Sequence, residues 1–116
     1  MTYCIRFMPG VKADAPLLSR EQDRLAQRFL CKAREAKDPT NVPFEDVIAC
    51  TEPALRGWFR FKPSVEVRNA CDCDIRIIYR VQRNEIIVLA VGSRTRDQVY
   101  RNAAHRLQMS YDAWTP

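Results

Sequence analysis

Apolar and polar positions are most regularly ordered between Asp74 and Leu107. The segment Ile75–Val81 places an apolar side chain at every second position, which is the period of two that a strand requires. After a polar break of hairpin length at Gln82–Glu85, every residue of Ile86–Val91 is apolar, which is typical of a strand buried on both faces. The pattern predicts a hairpin whose second strand is central in a sheet. One face of the first strand carries Ile75, Ile77, Tyr79 and Val81, and the other carries Arg76, Ile78 and Arg80.

A helix is predicted directly after this hairpin. The apolar run stops at Gly92, Thr95 is a suitable N-cap, and Gln98 stands three residues later in the capping-box position. The helix that follows should carry Val99, Ala103 and Leu107 on one side.

The first third of the chain predicts a strand and a long helix. Thr2–Met8 has the composition of a strand, and Ser19 with Gln22 forms a capping-box pair for a helix from Arg20 to about Lys37. Between them, Val11–Leu18 fits either a short helix or an irregular connection. The long helix has one apolar stripe, formed by Leu25, Ala26, Phe29, Leu30, Ala33 and Ala36, and we expect it to pack on the sheet.

The middle of the chain has weaker signals. Asp38–Ala54 has no clear periodicity and contains three prolines, so it predicts a long connection with at most one helical turn, at Phe44–Cys50. Trp58–Lys62 alternates as a strand, and Val65–Val67 either continues it past Pro63 or lies beyond its end. The order of elements predicts one α+β domain over residues 1–116, with an antiparallel four-stranded sheet, an N-terminal helix or helical hairpin packed on it, and a C-terminal helix.

Charge is unevenly distributed along the chain. The formal net charge is +5, yet the first 55 residues hold eight Lys/Arg against eight Asp/Glu, whereas residues 56–106 hold eleven against five. The strand-rich half is therefore the basic half. Phosphate backbones and acidic protein segments are the natural partners of such a surface, although a basic face can also serve solubility alone.

Composition narrows the class of protein. No apolar run approaches the length of about 20 residues that spans a bilayer, and no export signal is apparent, so we expect a cytoplasmic protein without a membrane partner. The five cysteines are expected to be reduced, with Cys71 and Cys73 as half of a zinc site being the alternative. We expect no metal and no cofactor.

Four features together resemble a known family: Leu55–Gly57 before a strand, the segment IRIIYRV, the segment IIVLAVGSRTR, and the tyrosine of DQVYRNA. They resemble the RelE/ParE toxin superfamily of bacterial type II toxin–antitoxin systems, and the arrangement of arginines before the tyrosine is closest to its RelE-like branch. The resemblance implies a microbial-ribonuclease-like fold and a toxin that cleaves mRNA in the ribosomal A site. It also implies a cognate antitoxin protein as the partner that neutralises the toxin.

The resemblance also implies which residues act. It places catalytic roles on Arg76, Arg94 and Tyr100, and RNA binding on Arg96. The strand lysines of the family fall among Arg60, Lys62 and Arg68, and Arg80, on the same strand face as Arg76, joins these RNA-binding candidates.

The residues themselves are suited to this chemistry. Cleavage of RNA through its own 2′-hydroxyl needs a proton acceptor and cations that stabilise the transition state, and arginine grips a phosphate in two places. Arg96 and Tyr100 stand four apart on the predicted helix, and nearby positive charge lowers the pKa of a phenol, so Tyr100 is the predicted general base.

Other interpretations stay open at this point. Tyr100 also fits a half-buried core residue, and Trp58 fits either the core or a base-stacking role. For the whole chain, the alternatives are a ParE-like toxin that inhibits gyrase or another protein target, and a noncatalytic module that binds nucleic acid or an acidic peptide.

Overall fold

The computed structural model describes residues 2–64, 66–67, 74–93 and 98–114, with the side chains of the last helix described up to residue 108. Short 3-10 turns at Ala15–Leu17 and Pro53–Leu55 accompany the main elements. The strands are β1 Cys4–Phe7, β2 Asp46–Ala49, β3 Phe59–Lys62, β4 Arg76–Gln82 and β5 Glu85–Gly92. The helices are α1 Val11–Asp14, α2 Arg20–Glu35 and α3 Gln98–Trp114.

The described strands form one five-stranded mixed sheet in the order β1-β5-β4-β3-β2. The α+β class is as predicted, but the expectation of four antiparallel strands is wrong in two respects. The sheet has a fifth strand, and β1 runs parallel to β5, with Ile5 in register with Ile86. Parallel pairing is possible because α1 and α2 lie between β1 and the rest of the sheet in sequence, and a parallel pair needs such a long connection.

The unexpected strand is β2, inside the segment predicted as a connection. Asp46–Ala49 pairs antiparallel with β3, with Val47 opposite Phe61 and Ile48 opposite Arg60. The predicted helical turn at Phe44–Cys50 is therefore wrong, because this segment meets its hydrogen-bonding requirement through β3. Of the two alternatives for Val65–Val67, the continuation of β3 past Pro63 does not form, since β3 ends at Lys62 and residues 66 and 67 are helical.

One sheet face is covered by α1 and α2. Ser19 caps α2 as predicted: its hydroxyl accepts from the Gln22 N–H at 3.1 Å, and its own N–H donates to the Gln22 side chain at 2.9 Å. The predicted apolar stripe faces the sheet, and the Phe29 ring stacks on the Phe61 ring with centroids 3.9 Å apart. The core on this face includes Leu25, Ala26, Phe29, Leu30, Ala33, Phe61, Ile75, Ile77, Tyr79, Ile86 and Val88.

The opposite face is covered only in part, by α3. Val99 and Ala103 are buried as predicted, and Leu107 packs beside them at partial exposure. Their partners on the sheet side are Leu55, Trp58, Ile78, Ile87, Leu89 and Ala90. The helix thus lies over β4 and β5 and leaves the β2–β3 end of this face open.

A β-bulge in β5 supports a buried ion pair between α1 and α3. Ile78 pairs with Ala90 while the next residue, Tyr79, pairs with Val88, so Leu89 is the extra residue of the bulge. The Leu89 carbonyl accepts a hydrogen bond from Arg106 Nη1 at 3.0 Å. Arg106 also forms a bidentate pair with Asp14, at 2.6 Å for each of its two hydrogen bonds.

This pair is tightly enclosed. The Asp14 side chain is 5% exposed and accepts a third bond, from the Val91 N–H at 3.0 Å. Gly10 lies directly under the Arg106 side chain, where a Cβ atom would collide with it. The ion pair therefore ties α3 to α1 around the edge of β5.

The described helices show no segment long and apolar enough to cross a membrane.

We predict that Arg106→Ala lowers the free energy of unfolding by about 3–5 kcal/mol, because it leaves the buried Asp14 carboxylate without its charge partner. Arg101→Ala is the matched control on the same helix, since Arg101 is exposed, and it should change stability by at most about 0.5 kcal/mol. Urea denaturation of the three proteins measures both values. Equal stability of the two variants would contradict the role assigned to the ion pair.

Candidate active site

The uncovered part of the sheet face forms a polar cleft of about 260 Å³. Its floor comes from β2, β3 and the start of β4, and α3 closes one side with Tyr100. The remaining wall is the segment between β2 and the second 3-10 turn. The lining residues are Ile48, Ala49, Cys50, Thr51, Glu52, Arg60, Lys62, Arg76 and Tyr100.

Four of the predicted site residues meet in this cleft. Arg60, Lys62, Arg76 and Tyr100 come from three different elements and line the same space. The strand alternation accounts for the three cations, because Arg60 is in register with Ile78 and so shares a sheet face with Arg76.

Four other predicted site residues are not brought into the cleft by the described structure. Arg94, Arg96 and Arg68 lie outside the described residues. Arg80 is exposed and is not among the residues lining the cleft. Its guanidinium lies over the Trp58 ring, 5.9 Å from the ring centroid, and Trp58 itself is a core residue.

Arg76 is nearly fully buried, at 2% exposure of its side chain. Its Nη1 donates to the Asp74 carboxylate and to the Ile75 carbonyl, the latter at 3.2 Å. These bonds fix the plane of the guanidinium at the floor of the cleft. A fixed, partly desolvated guanidinium is suited to binding an anion, because it needs little reorganisation when the anion binds.

Lys62 has an acidic neighbour across the sheet. Asp46 on β2 is its direct register partner, and the Lys62 Nζ atom lies 3.4 Å from the Asp46 carboxylate. Both side chains remain about a third exposed, so the pair is accessible from the cleft side of the sheet. Asp46 therefore offsets part of the positive charge that Lys62 contributes.

The pKa of Tyr100 is raised, which contradicts the lowering expected from the sequence. Burial is the largest cause of the rise, and Glu52 and Cys50 add to it, while Arg60 and Arg76 act in the opposite direction. The two guanidinium groups thus have the expected sign, but desolvation of the phenol outweighs them. With a pKa above the ordinary value of about 10, the phenol is protonated at neutral pH.

Two ionisable residues of the cleft were not predicted from the sequence. Glu52 supplies a carboxylate and Cys50 a thiol, and both come from the irregular segment after β2. Burial, with help from Glu52, raises the pKa of the Cys50 thiol to about 11, so the thiol is protonated at neutral pH. No local motif marks either residue, because their proximity to Tyr100 arises from the pairing of β2 with β3.

Cys71 and Cys73, the alternative zinc ligands, lie outside the described residues. Across the described ranges, no group of three or more His, Cys, Asp and Glu side chains is placed to hold a metal ion.

A second, larger depression of about 530 Å³ lies on the other side of the sheet, between β1, α1 and α2. Most of its lining is apolar, as with Ile5, Phe7, Val11 and Leu30. It contrasts with the cleft, which combines cations, a carboxylate and a phenol. The cleft is therefore the candidate active site.

We predict that the Tyr100 phenol titrates above its ordinary pKa and that Arg60→Gln raises this pKa further, since the variant removes a charge that favours the phenolate. Arg80→Gln removes an equally positive charge that does not act on Tyr100, and it should leave the pKa unchanged. NMR titration of protein carrying labelled tyrosine ring carbons measures both. A fall in the pKa of Tyr100 on Arg60→Gln would overturn the electrostatic description of the cleft.

Comparison with known proteins agrees with this architecture. The family model described as the ParE toxin of the type II toxin–antitoxin system, parDE, matches residues 5–98. A solved structure of the E. coli toxin RelE, an arginine-to-alanine double mutant in the free state, matches with a TM-score of 0.64 at 18% sequence identity. That match covers 91% of this chain and 98% of the RelE chain. No curated protein sequence matches at a significant level. The chain belongs to the ParE toxin family of type II toxin–antitoxin systems, within the RelE/ParE superfamily, which implies a cognate antitoxin as its partner.

Proposed function

We propose that this toxin is a RelE-like endoribonuclease that cleaves mRNA, with the RNA 2′-hydroxyl as the nucleophile. The observation that carries the proposal is the convergence of Arg60, Lys62, Arg76, Glu52 and Tyr100 in one cleft. Together these side chains supply the three kinds of group that the reaction needs: cations for the phosphate, a proton acceptor, and a proton donor.

The three cations hold the scissile phosphate. Arg76 offers a fixed guanidinium at the floor, and Arg60 and Lys62 stand beside it on β3. Negative charge grows on the phosphate oxygens as the 2′-oxygen attacks, so cations that are already in place stabilise the transition state more than the ground state. Arg94 is the third residue to which the resemblance gives a catalytic role, and we assign it to stabilising the same negative charge.

The raised pKa of Tyr100 changes its role from the one expected from the sequence. A protonated phenol is a donor, and its proton is suited to the departing 5′-oxygen. Glu52 is the carboxylate that lines the cleft, and we assign it the proton of the 2′-hydroxyl. The 2′-oxygen then forms a bond to phosphorus while the bond to the 5′-oxygen breaks, which leaves a 2′,3′-cyclic phosphate and a 5′-hydroxyl.

The setting of the reaction is proposed from the resemblance to the RelE-like branch. The proposed substrate is mRNA in the ribosomal A site, and the proposed neutralisation is by an antitoxin that covers the basic face. Arg68, Arg80 and Arg96 are proposed as further contacts to RNA.

A second candidate function is inhibition of gyrase or another protein target without RNA cleavage. It is favoured by the family model, which is that of the ParE toxin. In that case the cleft would have no catalytic role, so the two functions differ in what happens to transcripts.

We predict that Tyr100→Phe, Glu52→Gln and Arg76→Lys each reduce cleavage by about 100-fold or more, because each removes one proton-transfer or charge-stabilising group. Arg76→Lys is preferred to Arg76→Ala as the first test because the side chain is buried and lysine retains the charge without the planar fork. Growth arrest on expression and codon-associated cuts in mRNA are the measurements.

Arg83→Gln serves as the control, since Arg83 is an exposed cation in the β4–β5 turn and should leave cleavage intact. Circular dichroism confirms that the variants fold. If Tyr100→Phe still arrests growth, with transcripts intact and DNA supercoiling altered, the gyrase function is correct. Absence of toxicity in the wild type would favour a noncatalytic binding module.

A further prediction concerns the partner of Lys62. Asp46→Asn removes the carboxylate that offsets the Lys62 charge, so the variant should bind single-stranded RNA more tightly than the wild type. The dependence of log affinity on log salt should steepen by up to about 0.7, the increment for one added phosphate contact. Asp23→Asn, at an exposed position on α2, is the control. Unchanged affinity and slope would mean that Lys62 does not contact phosphate.

A further inference from the structure

Two exposed apolar side chains lie in β2 and in the turn that leads into it. Phe44 is 97% exposed and Ile48 is 50% exposed. Ile48 lines the cleft directly, in register with Arg60. Elsewhere the lining is mainly charged or polar, so this edge differs in character from the rest of the site.

Phe44 occupies a backbone conformation that its side chain disfavours. The Glu45 N–H donates to the Val42 carbonyl at 3.1 Å, which closes a turn with Pro43 second and Phe44 third. The φ angle of Phe44 is 66°, in the left-handed region. Proline followed by a positive φ is the pattern of a type II turn, whose third position normally holds glycine or asparagine. A bulky residue there costs stability.

The fold gives no packing reason for that cost. Nearly the whole ring of Phe44 is in contact with solvent, so the residue gains almost nothing from burial. A strained backbone and an exposed aromatic ring at one position together suggest that the ring has a partner outside the chain.

Phe44 lies directly before the residues that contact α2 and β3. Glu45 points to α2, where it pairs with Lys32 at 3.0 Å, and Asp46 points to the opposite face, where it meets Lys62. Phe44 is two residues before Asp46, so its Cα lies within about 7 Å of the Asp46 Cα. The exposed ring therefore belongs to the turn next to the β2–β3 pair that carries Lys62.

We propose that Phe44 and Ile48 form a base-binding edge of the active site. This inference rests on the proposed function and adds to it the orientation of the substrate. An unpaired nucleotide presents an anionic phosphate and an aromatic base, and the cleft offers separate surfaces for the two. Arg60, Lys62 and Arg76 take the phosphate, a base next to it stacks on the Phe44 ring, and Ile48 packs against the sugar or base edge.

The test is binding of a short single-stranded RNA with 2′-O-methyl groups on every sugar, which blocks the nucleophile and prevents cleavage. Phe44→Ala should weaken binding by about 5- to 150-fold, the range for loss of one base–aromatic stack, while Phe44→Trp should retain it. The salt dependence of binding should be unchanged in Phe44→Ala, because no phosphate contact is lost. Leu17→Ala is the control, since Leu17 is 82% exposed and does not line the cleft.

Phe44→Gly separates binding from stability. Glycine relieves the strain at a positive φ, so this variant should have a higher Tm than the wild type and yet bind RNA as weakly as Phe44→Ala. A purely structural role of Phe44 would instead lower Tm in both variants.

The outcomes distinguish this inference from the proposed function. If the wild type binds the RNA and Phe44→Ala binds it with the same affinity, the base-binding edge is overturned and the nuclease proposal stands. Loss of binding to the antitoxin in Phe44→Ala, with RNA affinity unchanged, assigns the turn to a protein contact and also overturns it. If the wild type itself does not bind the RNA, the base-binding edge is overturned, whereas the nuclease proposal is decided separately by the cuts in mRNA.

Discussion

The fold depends on the burial of β5 on both faces. Every residue of Ile86–Val91 is apolar, and none is more than 8% exposed, so the strand must be covered from both sides. The helices α1 and α2 cover one face, and α3 covers the other. Because α3 follows β5 directly and lies over β4 and β5, it cannot also cover the β2–β3 end. The candidate active site is the part of that face which remains open.

The same arrangement sets the chemistry of the cleft. The helix that completes the core also brings Tyr100 to the edge of the open face, where the phenol is half-buried. That burial raises its pKa and works against the neighbouring guanidinium groups. The cleft of this toxin therefore has a protonated tyrosine among cations, with Glu52 as the nearby carboxylate, and this arrangement is the basis for the proposed donor and acceptor roles.

The position of α3 is fixed by more than apolar contacts. The Asp14–Arg106 pair ties it to α1, and the bulge at Leu89 provides the carbonyl that Arg106 also uses. Burying charged groups is costly unless their hydrogen-bonding atoms have partners, and here the Asp14 carboxylate accepts three hydrogen bonds. The pair therefore favours one placement of α3, and hence of Tyr100, over alternatives of similar apolar burial.

Local sequence signals predicted the elements well and their pairing less well. The alternation of Ile75–Val81 placed Arg76 correctly on the face of the cleft, and the capping box of Ser19 and Gln22 correctly began α2. The strand β2 could not be predicted, because four residues among prolines have no periodicity and their strand state comes from β3. The parallel pairing of β1 could not be predicted either, because it depends on β5, which is distant in the sequence. Arg80 shares the face of Arg76 but lies four residues, about 13 Å, along the strand.

For the same reason, Glu52 could not be found from the sequence, because only the pairing of β2 brings it to Tyr100. Arg60, Lys62, Arg76 and Tyr100 were predicted and do meet in the cleft, whereas the raised pKa of Tyr100 required knowledge of its burial. Residue types and strand faces can be predicted from the local sequence, whereas the desolvation of a side chain depends on the whole fold.

The proposed function requires RNA to bind in the cleft on the α3 side of the sheet. Methyl NMR of the full chain during titration with an uncleavable 2′-O-methyl RNA tests it most directly, because the two sides of the sheet have matched isoleucine reporters. Ile48 lines the cleft, and Ile5 lines the apolar depression between β1, α1 and α2. We expect the Ile48 and Ala49 methyl signals to shift while those of Ile5 and Leu30 stay in place. Shifts confined to Ile5 and Leu30 would contradict it.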